Sequence, residues 1–457
     1  MVFAVPAFGL KLFKQRLAGL HADHRRIASG AARVALFLLL GKFAGAAKEM
    51  AVAYRYGISD IVDAYQYTMT LAAWLPVTLV GVLSVVLIPV LVRLRSTEPS
   101  DRSRFLAELQ GWTLTVGAVL AVLIYAAWPW VLHHFGQGLS APVQEMSYAL
   151  TFAFAPAAML TLVAGVSAAR LRAHERHINT LLDSVPATVI LIWVLLAGSV
   201  QSLGPLLWGT LVGYVVQSVW LLWLANRADA TGFRPRLSLK ADQWPDLVKA
   251  AGIMLVGQVA MSFVAPIDQY TAANLGGNAN ATLGYANRLL SLALGLGAAS
   301  VGRAALPVLA DVYSRGDHAR ARRMAVQWSL WMLLCGAVCV VIGWVLAPWA
   351  VALLFERGEF SAQDTVAVAS ALRWGLIQLP FYFGVLVLVQ LLASQRRYGV
   401  MAAIALGNFA LKAALNPVLA PAYGLPGILL ATSGMYALSY CCYVIAAMRP
   451  YAPAVRS

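Results

Sequence analysis

An all-α polytopic membrane protein, with about twelve transmembrane helices in two six-helix halves around a central cavity, is the fold class this sequence predicts. Three observations predict it. Of the 457 residues, 61% are hydrophobic and only 12% charged, where a soluble domain carries about 25% charged residues. So few charges cannot cover a water-facing surface, and most of the surface must face lipid. The apolar residues also lie in long runs that reach the ~20 residues a helix needs to cross hydrocarbon, not in the short alternating segments of a barrel. Finally, the connections between the runs alternate sharply in positive charge. Lipid satisfies no backbone polar group, so helices are the natural spanning element.

Taken in order, hydropathy places the spans at about 30–55, 64–92, 111–135, 146–169, 178–199, 205–225, 248–274, 281–310, 324–348, 364–393, 400–420 and 425–447. Residues 1–29 form a basic cytoplasmic segment in which Phe8, Leu10, Phe13 and Leu17 suit either an amphipathic helix on the inner leaflet or a basic tail. No secretory signal peptide is read there. Lys11, Lys14, Arg16, Arg25 and Arg26 precede span one, Arg93, Arg95, Arg102 and Arg104 follow span two, and Arg170, Arg172 and Arg176 follow span four. The same side collects Arg227, Arg234, Arg236, Lys240 and Lys249, then Arg315, Arg320, Arg322 and Arg323, then Arg396 and Arg397, then Arg449 and Arg456. The other side carries little beyond Arg55 and Arg357. The positive-inside rule therefore places both termini in the cytoplasm, which agrees with an even span count. The net charge of +15 is orientation, and no nucleic-acid partner is expected.

The chain reads as built twice. Span one ends in Tyr56-Gly57, and span two runs from Asp63-Ala64-Tyr65 to Ile88-Pro89-Val90-Leu91. Span seven ends in Gly276-Gly277, and span eight runs from Gly284-Tyr285-Ala286 to Leu306-Pro307-Val308-Leu309. Glu49 lies eight residues before Gly57, and Asp268 eight before Gly276. The expected organisation is a first bundle at 30–226, a cytoplasmic linker at 227–246, a second bundle at 247–448 and a tail at 449–457. Halves with an even number of spans run parallel, and substrate sites of such transporters lie between them near the midplane.

Ionisable residues at span depth are costly and mark cavities or partners. Span one holds Lys42, Lys48 and Glu49, with Lys42 and Glu49 on nearly one helical face and Lys48 about 100° round. Gly41 and Gly45 flank Lys42. Two lysines against one carboxylate leave excess positive charge, whether the group is a buried salt bridge or a cavity lining. Span seven holds Asp268 and Gln269 after Pro266, which frees a carbonyl one turn back. They are candidates for ion coupling. The alternative is that Asp268 partners a cation on another helix, Arg288 being the obvious one. Span eight carries Asn287 and Arg288, whose guanidinium fork suits phosphate oxygens. Arg303 nearer the cytoplasm is placed to snorkel. Arg373, and Lys412 with Asn408 and Asn416, add polar features to the second half, Lys412 without an evident acidic partner. Asp183 is expected to pair with the adjacent basic loop. Cys335, Cys339, Cys441 and Cys442 fall inside spans without metal-ligand spacing and read as small core residues. His133 and His134 lie beside Trp128 and Trp130 at an interface. No metal site is expected. Nor does the chain carry a Walker loop, a Gly-x-Ser-x-Gly elbow or a large outer loop with paired carboxylates, so an enzyme is not expected. Cations outnumber anions at membrane depth, which suits an anionic substrate.

The run Gly41-Lys42-Phe43-Ala44-Gly45-Ala46-Ala47-Lys48-Glu49, followed by Tyr56-Gly57 and Asp63-Ala64-Tyr65, resembles the first two helices of MurJ/MviN-type lipid II flippases. These belong to the multidrug/oligosaccharidyl-lipid/polysaccharide exporter superfamily. Tyr285-Ala286-Asn287-Arg288-Leu289 and the stretch from Leu354 to Thr365 are similar to further family segments. The family's two first-helix arginines stand here as Lys42 and Lys48, its second-span cavity arginine has no counterpart near Leu75 and Pro76, and Asn287 replaces an acid. Many members have fourteen spans, the last two forming a lipid-tail groove. The resemblance implies a multi-pass flippase of the bacterial inner membrane that moves a polyprenyl-pyrophosphate-linked saccharide. Lys42, Lys48 and Arg288 would hold the pyrophosphate, while Glu49, Asp63 and Asn287 would position or gate. It implies no cofactor beyond a coupling ion (H+ or Na+) or the membrane potential. The substrate, membrane lipids and cell-wall or polysaccharide assembly proteins are the expected partners. An exopolysaccharide or O-unit exporter is the alternative, a multidrug antiporter of the same superfamily a weaker one, and a non-transporting scaffold a third.

Overall fold

A computed structural model describes residues 22–94, 98–174, 176, 178–197, 202–295, 317–395 and 397–449, and every regular element among them is helical. In chain order they are α1 (Ala22–Tyr56), α2 (Asp60–Arg93), α3 (Pro99–Phe135), α4 (Ala141–Ala173), α5 (Asn179–Leu182), α6 (Val185–Leu196) and α7 (Gly204–Asp229). Then follow α8 (Trp244–Ser262), α9 (Val264–Leu275), α10 (279–295), α11 (His318–Phe355), α12 (Ala362–Leu376), α13 (Leu379–Ser394), α14 (Tyr398–Tyr423) and α15 (Leu425–Met448). Among the described residues eight helices are long and apolar enough to cross a membrane, taking α5 and α6 together, or nine if α12 and α13 form one bent span. The protein is a multi-pass membrane protein. The basic segment before residue 22, Arg303 and the Leu306-Pro307-Val308-Leu309 motif lie outside the described residues.

Three of the expected spans are broken, each one turn before a proline, although prolines such as Pro76, Pro156 and Pro348 lie inside helices that continue. Proline lacks the N–H that bonds the carbonyl four residues back, and its ring crowds that carbonyl. With Pro186 the residue four back is Leu182, where α5 ends. With Pro266 it is Ser262, where α8 ends. With Pro380 it is Leu376, where α12 ends before a 40° bend.

Helices α1 to α7 pack mainly on one another, α2 on α4, α4 on α3 and α7, and α6 on α1 and α7. Helices α11 to α15 form a second group, with α11 on α12 and α13, and α15 on α13 and α14. The broken pair α8–α9 sits between, touching α2 on one side and α14 on the other. One large apolar cluster joins the groups at one end of the bundle and includes Tyr56, Tyr65, Tyr285, Phe355 and Phe360. Rings of Tyr285, Phe355 and Phe360 lie 5.2 to 5.8 Å apart.

Polar bonds seal the same end. Asp63 Oδ1 accepts from the Ala281 amide at 2.9 Å, and Oδ2 from Asn280 Nδ2 at 3.2 Å, capping the start of α10. The Tyr285 hydroxyl donates to the Gly57 carbonyl at 3.0 Å, and the Glu359 amide donates to the Tyr54 carbonyl at 2.9 Å. Gly57 has φ +55°, and a Cβ there would strike the Glu359 carbonyl. Only glycine fits both constraints.

At the other end the connection from α7 to α8 is strapped to α3. Buried Glu108 accepts from Ser238 Oγ at 2.5 Å, Trp244 Nε1 at 2.7 Å and the amides of Lys240 and Ala241 at 3.2 Å. Arg170 Nε and His174 Nε2 share the two carboxylate oxygens of Asp229 at 2.7 and 2.5 Å, tying the ends of α4 and α7. The core reading of the cysteines does not hold. Cys335 and Cys441 are exposed, and Cys339 and Cys442 are half-buried. On a lipid-facing helix an apolar residue need not be interior, and α11 shows Trp331, Val341 and Trp349 on its surface as well.

Candidate functional site

A cavity of about 560 Å³ lies among α1, α2, α4, α7 and α10. Lys42, Lys48 and Glu49 line it from α1, Tyr65 and Met69 from α2, Arg172 from α4, Tyr214 and Gln217 from α7, and Arg288 from α10, with Asp183 beside the α5–α6 break. Its charged lining is four cations against two carboxylates.

At its centre Glu49 Oε1 takes both Lys48 Nζ at 2.7 Å and Arg288 Nε at 2.8 Å. Glu49 and Lys48 are almost fully buried, while the Arg288 side chain is 41% exposed. The second oxygen, Oε2, is buried without a hydrogen-bond partner among the described residues. Lys48 also sits 5.5 Å from the centre of the Tyr65 ring, a cation–π contact. Lys42, one turn and a half nearer the chain start, is exposed to the cavity, and its ammonium lies near Gly295 of α10. It has no hydrogen bond or ion pair to any described residue.

A second cavity of about 600 Å³ lies between α2, the α8–α9 break and α10. Gln66, Trp74, Ser262, Asp268, Gln269 and Asn287 line it, and Arg288, Met69 and Ser291 belong to both cavities. Arg288 therefore stands between a cationic chamber and a largely neutral, amide- and hydroxyl-bearing one.

The sequence-derived residues thus separate. Lys42, Lys48, Glu49 and Arg288 come together, Asn287 joins the second chamber, and Gln269 is buried at its wall. Asp63 lies instead at the sealed end, holding α10. Two pairings differ from expectation. Arg288 goes to Glu49, and the partner of Asp268 is Lys412, at 2.7 Å. Lys412 therefore has the acidic partner that its own span did not reveal. Arg373 donates to the Trp344 carbonyl at 2.8 Å and serves the second helix group. Arg172, Tyr214, Gln217 and Asp183 are cavity residues that sequence reasoning left out. Arg172 was counted with the loop charges beside Arg170, yet two residues turn a helix by about 200°. One side chain meets Asp229 and the other faces the cavity.

The model of the lipid II flippase MurJ family matches residues 52–452. The chain belongs to the lipid II flippase MurJ family. A probable lipid II flippase MurJ of Bdellovibrio bacteriovorus is 30% identical over 256 residues, 55% of this chain and 48% of that protein. The chain thus spans about half the length of that curated relative. Another probable lipid II flippase MurJ, from Synechocystis, is 25% identical over 92% of this chain and 81% of its own length. Among solved structures, a lipid II flippase MurJ in an inward closed conformation matches with a TM-score of 0.78 at 17% identity, covering 91% of this chain and 87% of that one. An inward-facing multidrug transporter of the MATE family matches with a TM-score of 0.66 at 12% identity, over 90% and 93% of the two chains. At such identities the two structures show a shared fold and nothing finer.

Proposed function

We propose that this chain is a flippase that carries a polyprenyl-pyrophosphate-linked saccharide, lipid II in the first instance, from the cytoplasmic to the periplasmic leaflet by alternating access. The observation that carries the reading is the cavity's charge, four cations against two carboxylates, within a bundle sealed at one end. A cation-exporting antiporter would need the reverse bias. Lys42, exposed and unpaired among the described residues, is the first contact for the pyrophosphate. Arg288 and Lys48 follow by exchanging the Glu49 carboxylate for phosphate oxygens, which charge-assisted bonds of similar strength permit. The saccharide then occupies the neutral second chamber. The basic loops orient the linker end to the cytoplasm, so the sealed end faces the periplasm and the state is inward-facing. The helix group α1 to α7 rocks about the site against the second group, which carries α8 to α10 with it.

Flipping of labelled lipid II by purified protein in vesicles tests the reading, with Lys42→Gln and Arg288→Gln as variants. Each loses a charged hydrogen bond of about 1.5–3 kcal/mol, which corresponds to about 10- to 150-fold in translocation. Lys42→Gln should leave the Tm unchanged. Wild-type rates in both variants would overturn the site. An O-unit lipid that outcompetes lipid II would replace the named saccharide with that of an exporter paralogue.

A further inference from the structure

Asp268 and Gln269 on the α8–α9 broken span have the composition of an ion-coupling site, an acid beside a loosened backbone. The residues around that acid test whether a free cation fits. Lys412 of α14 is fully buried, and its ammonium donates to Asp268 Oδ1 at 2.7 Å, the Ile428 carbonyl at 2.7 Å and Thr432 Oγ1 at 2.5 Å. Asn416, one turn further along α14, donates to Asp268 Oδ1 at 3.0 Å and to Thr271 Oγ1 at 3.1 Å. Its own Oδ1 is buried without a hydrogen-bond partner among the described residues.

The set is a carboxylate, a backbone carbonyl, a hydroxyl and an amide oxygen, drawn from α9, α14 and α15. Oxygen donors of these kinds are what hard metal cations take. Yet the position such an ion would hold is filled. An ammonium has three N–H donors, and three acceptors meet it here. A neutral amine has only two, so releasing the proton would leave one acceptor unmet in a buried place.

We infer that Lys412 supplies, as a tethered ammonium, the cation that Asp268 would otherwise take from solution, and so fills a latent monovalent-cation site. Free sodium has no place at Asp268 in this chain, and the pair fastens α9 to α14 and α15 without an ion to lose. Removing the lysine side chain uncovers the site, because a buried carboxylate that has lost its partner is stabilised by taking up a cation.

The test reads cation binding by the purified full chain in detergent, apart from any flipping activity. Thermal unfolding and radioactive sodium binding are followed as sodium replaces choline at constant ionic strength. Wild type should show no saturable sodium binding. Lys412→Gln should bind sodium saturably, with a Tm rise of at least about 3 °C at saturation, and the added Asp268→Asn should abolish both responses. Saturable sodium binding by wild type that disappears in Asp268→Asn would overturn the inference. So would a folded Lys412→Gln that ignores sodium, or one that fails to fold in every cation, since no metal would then stand in for the ammonium.

Discussion

Glu49 uses one oxygen for two cations, and this sets how the centre of the cavity responds to substitution. Two nearly buried charges and one half-exposed charge share the group, so removing its charge leaves Lys48 without a carboxylate partner among the described residues. Breaking a buried pair from one side costs about 3–5 kcal/mol. Glu49→Gln should therefore lower thermal stability markedly, and added pyrophosphate should recover part of the loss. Unchanged stability would show that Lys48 is hydrated in the cavity. Lys42 is the contrasting case. It is exposed and unpaired among the described residues, so its loss should touch transport alone.

At the scale of elements, three spans break one turn before a proline, and two glycines at positive φ, Gly57 and Gly358, let α1 meet the loop after α11. Gly57→Ala puts a side chain at φ +55° against the Glu359 carbonyl. The left-handed conformation alone costs about 1–2 kcal/mol, and the collision adds to it. The expected result is a lower Tm and a loosened sealed end, read as faster amide exchange at Glu359, whose N–H bonds Tyr54. Slow exchange in a folded variant would refute the packing argument. The strap over α3 is another element-level device. Glu108 holds the inter-group connection through four donors, so the connection moves with the first helix group.

At the scale of the whole molecule, the sealed end is the part that must open if access alternates. Asp63 caps α10 from α2, one of several bonds that join the two helix groups there. Asp63→Ala removes the cap and should shift the population toward a state open at that end. A cysteine placed at Ser291, in a chain whose four native cysteines are alanine, reports the shift. Its labelling by a membrane-impermeant reagent supplied on the side of the sealed end should rise several-fold. Equal labelling with and without the Asp63 change would mean that the remaining bonds and the Tyr285, Phe355 and Phe360 cluster hold the end closed unaided.

The sequence by itself determined the helical membrane class and which charged residues lie inside apolar runs. These follow from local quantities: run length, charge between runs, and the need of every backbone group for a partner in lipid. It also determined that Lys42, Lys48, Glu49 and Arg288 are the residues to examine, because a charge in an apolar run is visible without any fold. What it could not determine was who pairs with whom. Glu49 with Arg288, and Asp268 with Lys412, join helices far apart in the chain, and the helical period relates only residues on one helix. Arg172 was hidden for the same reason, since the direction of a side chain at a span end depends on the neighbouring helix. Only the tertiary structure decided that the acid of span seven already holds a cation, because the balance of a buried charge is settled by contacts in space.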